Sequence, residues 1–311
     1  MGSHPSARAY LALASVSFFW GTTYLGIRVA LETIPPLALV PLRFCISGSI
    51  MLLAARLLGQ TFPTRKEWLW SMFHGVMMLG VGNMCLSVAE TLIPSSFAAL
   101  ILAASPFWLI GIEAAMPGGE RLRAPTVAGL LLGVGGVALL LAPNMLNGDL
   151  SGNLWQGFLI LQLGGASWSF GAILQRRHES RANHLVNAAF QQMGAGLVYV
   201  LPALVLPHRE VVWTAKGMAA LAYLVVFGSI VGYSSYIYAL NHLPVALVSV
   251  SNYINVIVAA VLGWLFYREP FGWSEIASML IIFVGVAVVK RFSSPSRAPS
   301  PPAVLQSSEA P

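Results

Sequence analysis

Apolar residues run along this chain in ten stretches, separated by short polar or proline-rich breaks. Each stretch is about 18–25 residues long, which at 1.5 Å rise per residue matches a bilayer core of about 30 Å. The pattern predicts spanning helices over 9–31, 37–58, 67–89, 95–116, 124–142, 154–176, 184–206, 216–240, 246–267 and 272–291. The breakers include Pro35-Pro36, Phe62-Pro63, Pro94, Pro117-Gly118-Gly119, Pro143-Asn144, Pro207, Pro244 and Glu269-Pro270. Proline lacks the backbone donor that a continuing helix needs, so these sites end helices. The third and fourth stretches, like the eighth and ninth, are joined so closely that tight antiparallel hairpins are expected. Residues 293–311, rich in Pro, Ser and Ala and without periodicity, read as a disordered tail.

Composition sharpens this into an all-α membrane protein. Of 311 residues, 57% are hydrophobic and 9% charged, against roughly 25% charge in soluble domains. A soluble enzyme, a disordered chain and a nucleic-acid binder are thereby excluded. The first apolar run has no small-residue cleavage site and is expected to remain as a helix. Cys45 and Cys85 both sit in apolar runs, so no disulfide framework is indicated.

Charge sets the expected orientation. Of the 17 Lys and Arg, the side carrying the N-terminus holds twelve, among them Arg8, Arg56, Lys66, Arg121, Arg176, Arg177 and Lys290. The opposite side holds Arg28, Arg43, Arg209, Lys216 and Arg268. The positive-inside rule places both termini in the cytoplasm, which an even number of spans satisfies.

The chain also repeats itself. Trp20 matches Trp168 and Arg28 matches Arg176; Gly82, Ala89 and Pro94 match Gly232, Ala239 and Pro244. Glu120 matches Glu269, and Gly136-Val-Ala138 matches Gly285-Val-Ala287. The offset stays between 148 and 150, so two five-helix halves are expected, 1–146 and 147–292, followed by the tail. Five is odd, and the second copy enters the membrane from the opposite face. Inverted repeats of this kind serve alternating access around a site near the midplane.

Several short motifs stand in a telling order. They are Trp20-Gly-Thr-Thr-Tyr24, Pro35-Pro-Leu37, Arg43-Phe44, Val81-Gly-Asn83, Ala89-Glu90, Pro94-Ser95, Glu120 and Glu269, and Ser167-Trp-Ser-Phe-Gly171. In that order they resemble the drug/metabolite transporter superfamily, in its ten-helix EamA-type exporter branch, over about residues 9–291. The resemblance implies export of small amino acids, related metabolites or drug-like compounds across a bacterial inner membrane. It also implies a cavity lined by the first, third, fourth, sixth, eighth and ninth helices, with the fifth and tenth peripheral. Family members often carry Asn-Pro in the ninth helix where this chain has Asn255-Val256, so a proline hinge is missing there.

The residues themselves suggest where chemistry resides. A charge within a spanning helix costs about 2.5–3.5 kcal/mol on insertion scales and usually marks function. Arg28, Glu32, Arg43 and Glu90 cluster near the expected periplasmic ends of helices one to three. They are read as a gate in which Arg28 or Arg43 pairs with Glu90, against the alternative of static interfacial anchors. Glu113 and His74 are candidates for carrying a coupling proton, against a headgroup-level charge and a structural histidine. Glu120 and Glu269 are expected to cap helix ends.

Trp20 and Trp168, being repeat-related, are expected to face the central cavity, with Trp108, Tyr233, Tyr236, Asn252 and Tyr253. Asn83 and Asn255 from the third and ninth helices complete the expected substrate-binding set. Apolar walls with a few amides and hydroxyls suit a small neutral or zwitterionic ligand. Met72, Met77, Met78 and Met84 offer an adaptable lining. The only lysines, Lys66, Lys216 and Lys290, lie at helix ends, so phosphorylated cargo is not expected. No phosphate loop, metal-ligand motif or nucleophile elbow occurs, and no cofactor is expected.

The reading is a secondary active or facilitative carrier, monomeric or homodimeric, whose partners are a small-molecule substrate, membrane lipid and, for a coupled carrier, protons. Drug efflux is the alternative within this class. An intramembrane enzyme or a lipid scramblase is the alternative from another class; an enzyme would need an acid/base pair, and only Glu113 and His74 offer one.

Overall fold

The computed structural model describes residues 7–117, 124–146, 152–178, 183–243, 248, 251–269 and 272–292, and all regular structure among them is helical. The first half holds α1 (Ala7–Leu31), α2 (Pro36–Leu57), α3 (Arg65–Gly75, Val76–Val81 and Gly82–Ala89), α4 (Ser95–Leu102 and Pro106–Ala115) and α5 (Ala124–Leu146). The second holds α6 (Gly152–Arg177), α7 (His184–Val205), α8 (Ala215–Tyr223, Leu224–Val231 and Gly232–His242), α9 (Ser251–Tyr267) and α10 (Trp273–Phe292). Seven of these are long and apolar enough to cross a membrane, and 124–140, 251–267 and 273–288 are shorter apolar helices. The ten expected helices are therefore present. The end of the bundle at Leu31 and Pro36 is called outer and the opposite end inner.

Local chemistry explains the boundaries. Pro35-Pro36 opens α2 with a proline at its first position, where the missing donor is harmless. Thr64 and Glu67 form a capping box that starts α3 two residues earlier than the hydrophobic pattern suggests. Glu120, Pro244 and the expected tail lie outside the described residues.

Two features were not anticipated. The fourth helix, expected as one span over 95–116, breaks at Ala103–Ser105, because Pro106 cannot donate backward and crowds the preceding turn. The third and eighth helices each contain a π-helical segment, Val76–Val81 and Leu224–Val231. Both end immediately before Gly82 and Gly232, the glycines that share the repeat offset. The repeat is thus a repeat of backbone irregularity as well as of residue type.

Small residues let the helices meet closely. A Cβ on Gly75 would overlap the Gln191 carbonyl oxygen, and one on Gly194 would overlap the Met72 carbonyl oxygen, so α3 and α7 cross almost backbone to backbone. A Cβ on Gly285 would lie 2.7 Å from both the Gly129 carbonyl oxygen and the Gly133 nitrogen. The Gly129-x-x-x-Gly133 stretch is therefore used inside the monomer, where α5 and α10 pack chiefly on each other.

Gly75→Ala should destabilise the protein by about 1–3 kcal/mol, the usual penalty of an overpacked contact. Gly135→Ala, which meets nothing within 4 Å, should leave it unchanged or slightly firmer. Thermal melting of the two detergent-purified variants checks the contrast.

Candidate functional site

Trp20 lies eleven residues below the outer end of α1, and Trp168 nine above the inner end of α6. By helix rise each is about 13–17 Å from that helix end, close to the middle of its span. Their ring centroids are 6.3 Å apart at 88°. Trp20 also lies against Tyr236 at 5.0 Å and Tyr233 at 6.5 Å. Four of the expected cavity residues are thereby brought together, one from α1 and three from the second half.

Each tryptophan sits in a notch made by the opposite half. A Cβ on Gly232 would come within 2.8 Å of the Trp20 indole, and a Cβ on Gly82 within 3.3 Å of Trp168. The adjoining π segments supply acceptors on the same crossed pattern. Trp20 Nε1 donates to the Gly228 carbonyl in α8 (3.2 Å). Ser167 Oγ, next to Trp168, donates to the Met77 carbonyl in α3 (2.8 Å). The break in α4 is tied in as well, since Ser169 Oγ donates to the Ser105 carbonyl (3.4 Å). Broken or irregular helices at mid-depth are where carriers place their polar contacts.

A polar network continues outward from this cluster. Arg43 is 6% exposed; its Nε donates to Ser229 Oγ (2.9 Å) and Nη1 to Asn83 Oδ1 (3.2 Å). Gln192 in α7 accepts from Ser47 and donates to the Ser229 carbonyl (3.1 Å), and Gln191 accepts from Tyr233. Ser47, Gln191, Gln192 and Ser229 escaped the sequence reading. The adjacent Gln191-Gln192 within an apolar run was the available signal.

Other candidates fall elsewhere. Trp108 is 39% exposed and donates to Gln162 in α6 (2.9 Å), apart from the Trp20 cluster, because Pro106 redirects its half of α4. Tyr253 packs on Phe283 of α10, with centroids 4.6 Å apart. The Asn255 amide nitrogen, oriented to satisfy its neighbours, donates to the Ser17 (2.6 Å) and Ser251 (3.0 Å) carbonyls, pinning α9 to α1. These three join helices and are not part of the aromatic cluster. Asn252 is half-buried in the first turn of α9. Met77 and Met78 press on Gly171 of α6, and Met72 on Gly194 of α7, so they serve packing.

Glu113 pairs with Arg176 and Arg177 at 3.4 Å each, with a third of its side chain exposed. His74 is buried between aromatic neighbours, 5.8 Å from Trp70 and 5.9 Å from His178. No contact joins Glu113 to His74, so the acid/base pair of the enzyme alternative does not form. Among the described residues no cluster of His, Cys, Asp or Glu has the makings of a metal site.

Of the expected gate charges, Arg28, Glu32 and Glu90 lie at the outer end but pair differently, and Arg43 belongs to the network just described. The expected ion pair between Glu90 and Arg28 or Arg43 is not formed. Arg28 instead donates to the Glu90 and Ile93 carbonyls at the C-terminus of α3, where the helix dipole favours a cation. Glu32 pairs with Lys216 at 2.7 Å and accepts from Tyr267, whose ring lies 5.7 Å under Arg28. Arg209 donates to the Leu31 carbonyl (2.6 Å), and the Val212 amide to the Thr33 carbonyl (2.9 Å). Glu269 accepts from the Ser95 and Ser96 amides and from Ser95 Oγ, each at 2.9 Å, so it caps α4 as expected. All of these except the Arg28 carbonyl bonds join the first half to the second.

The Lys216 ammonium and Tyr267 hydroxyl hold the Glu32 carboxyl below the usual carboxylate range. A depressed carboxylate contributes above its ordinary value of about 4.3 and is lost as pH falls through the lowered one. In a Cys45→Ala/Cys85→Ala background, a cysteine placed by Tyr24→Cys should stay protected from an impermeant maleimide at neutral pH. In Glu32→Gln, labelling should rise at the same neutral pH, and the margin in melting temperature of the unmutated protein over Glu32→Gln should vanish below about pH 4.

The comparisons with known proteins agree with this architecture. The EamA-like transporter family matches twice, over residues 7–142 and 155–291. The inner membrane transporter YedA of Escherichia coli K12 is 29% identical over 280 residues, 89% of each chain. Protein PecM of Dickeya dadantii is 26% identical over 89% of this chain and 91% of its own. The transporter YvbV of Bacillus subtilis is 23% identical over 94% and 95%. A solved crystal structure at 22% identity covers 93% of this chain and 99% of its own with a TM-score of 0.64, which speaks for the fold.

Proposed function

Because the chain belongs to the EamA-like transporter family and is a membrane transporter rather than an enzyme, we propose that it carries small amino acids or related metabolites outward across the bacterial inner membrane by alternating access. Residues 1–146 and 147–292 are the two moving halves, both termini are cytoplasmic, and the 293–311 tail takes no part. The observation that carries this reading is the crossed packing of Trp20 and Trp168 at mid-depth. Each indole is held by the opposite half, so relative motion of the halves must rearrange the aromatic surface between them.

The outer contacts act as one gate in this scheme. They tie the first half to the second through Glu32–Lys216, Arg209–Leu31 and Val212–Thr33. Trp20, Trp168, Tyr233 and Tyr236 provide the apolar wall against which a cargo side chain rests. Trp20→Ala should lower kcat/KM for uptake at least about tenfold, whereas Trp155→Ala, at an exposed α6 position, should not. Uptake of a labelled amino-acid panel into proteoliposomes checks both, and saturable counterflow separates a carrier from a channel. Acceleration by an imposed pH gradient would identify proton coupling; indifference to it would identify a facilitator. Transport of drug-like cations without any amino acid would replace the proposed cargo with a xenobiotic.

A further inference from the structure

Two ionisable side chains, Arg43 and Glu90, are buried in this protein outside any ion pair. Glu90 is 1% exposed, and neither of its carboxyl oxygens has a hydrogen-bond partner. Arg43 is bonded only to the neutral oxygens of Ser229 and Asn83. Among the described residues the ion pairs are Arg176–Glu113, Arg177–Glu113 and Lys216–Glu32, and neither Arg43 nor Glu90 belongs to one. Glu90 ends α3 two turns after Asn83, the side chain that holds Arg43. Buried charges are ordinarily paired and fully hydrogen-bonded. A buried carboxyl without a partner and a buried guanidinium with donors to spare are groups that a bound ligand satisfies.

The surroundings keep them apart. Arg28 is committed to the backbone carbonyls at the end of α3 and makes no bond to the Glu90 carboxyl. Glu269 uses both of its oxygens on the α4 N-terminus and is not available to Arg43. Arg43 is held by an oxygen beside each π segment, Asn83 after the one in α3 and Ser229 within the one in α8. A guanidinium has five N–H donors, and two are used in these bonds. Gly228 stands between Arg43 and Trp20: its carbonyl accepts from the indole, and a Cβ there would lie 2.9 Å from Arg43 Nη2. The cationic pole therefore adjoins the aromatic wall.

We infer that Arg43 and Glu90 are the charged poles of the cargo site, Arg43 taking a carboxylate and Glu90 a protonated amine, so that the cargo is a zwitterion whose apolar side chain rests against Trp20. This rests on the transporter reading and narrows it. The guanidinium fork suits a planar carboxylate, which can use two parallel N–H bonds. The carboxyl of Glu90 suits an ammonium, whose three donors would satisfy the oxygens now without partners.

The test compares three ligands on the full chain in lipid nanodiscs: phenylalanine, phenethylamine (no carboxylate) and 3-phenylpropionate (no amine). The wild-type protein should bind phenylalanine at least tenfold more tightly than either analogue. Glu90→Gln should weaken phenylalanine at least tenfold while leaving 3-phenylpropionate unchanged. Arg43→Gln should weaken phenylalanine and leave phenethylamine unchanged, with Arg43→Lys intermediate. Wild-type affinities within threefold of one another overturn the inference without reliance on any variant. Equal loss for all three ligands in both variants also overturns it and makes the charges structural. Saturable transport of a drug-like cation with no binding of the three preserves the transporter reading and overturns this one.

Discussion

Backbone polar groups in the hydrocarbon core have no water to turn to, so every irregular stretch of helix at that depth needs a partner. The organisation of this protein depends on that constraint. The π segments of α3 and α8 shift the helical register at mid-depth, and their carbonyls are met by groups from the opposite half: Trp20 at Gly228, Ser167 at Met77. Gly82 and Gly232, each directly after its π segment, make room for the indole that comes across. The aromatic cluster, the polar network behind it and the mutual dependence of the halves all follow from this arrangement.

Charge is distributed with the same economy. At the outer end, solvent-facing partners are matched one to one, as in Glu32–Lys216 and the Arg209 bond to Leu31. Such exposed pairs contribute little individually, ~0–1 kcal/mol, so a set of them closes a gate that can still reopen. Glu269 differs: buried and triply bonded to the start of α4, it holds α9 to α4 more firmly than these pairs. Arg43 and Glu90 differ again, being buried and unpaired. Weak exposed pairs, a firm buried cap and buried groups without an ion pair are three electrostatic solutions within one molecule.

Much of this was legible in the sequence. Ten apolar runs and their breakers give the helices, because length and hydrophobicity alone decide what spans. The 148–150 offset exposes the repeat and singles out Trp20, Trp168, Gly82 and Gly232 before any coordinates. Less visible were features that depend on which face of a helix meets which neighbour. Tyr253 and Asn255 share a helix with the expected lining, yet one faces α10 and the other grips α1. The expected Arg28–Glu90 ion pair depended on rotamers, and the arginine chose backbone carbonyls instead. The π segments leave no compositional mark apart from the glycine that follows each. The break in α4 did leave one, at Pro106, inside what reads as an unbroken apolar span.

The claim that the halves rock about the tryptophan pair is tested most directly by measuring both ends of the molecule at once. Spin labels at Thr91 and Trp213 report the outer separation of α3 and α8, and labels at Lys66 and His242 report the inner one, in a cysteine-free background. Lys216→Ala, which removes the outer partner of Glu32, biases the outer gate toward opening without any ligand. Rocking predicts that pulsed electron–electron distances lengthen at the outer pair and shorten at the inner pair in the same sample. An outer lengthening with no inner change, or a lengthening at both ends, would contradict it.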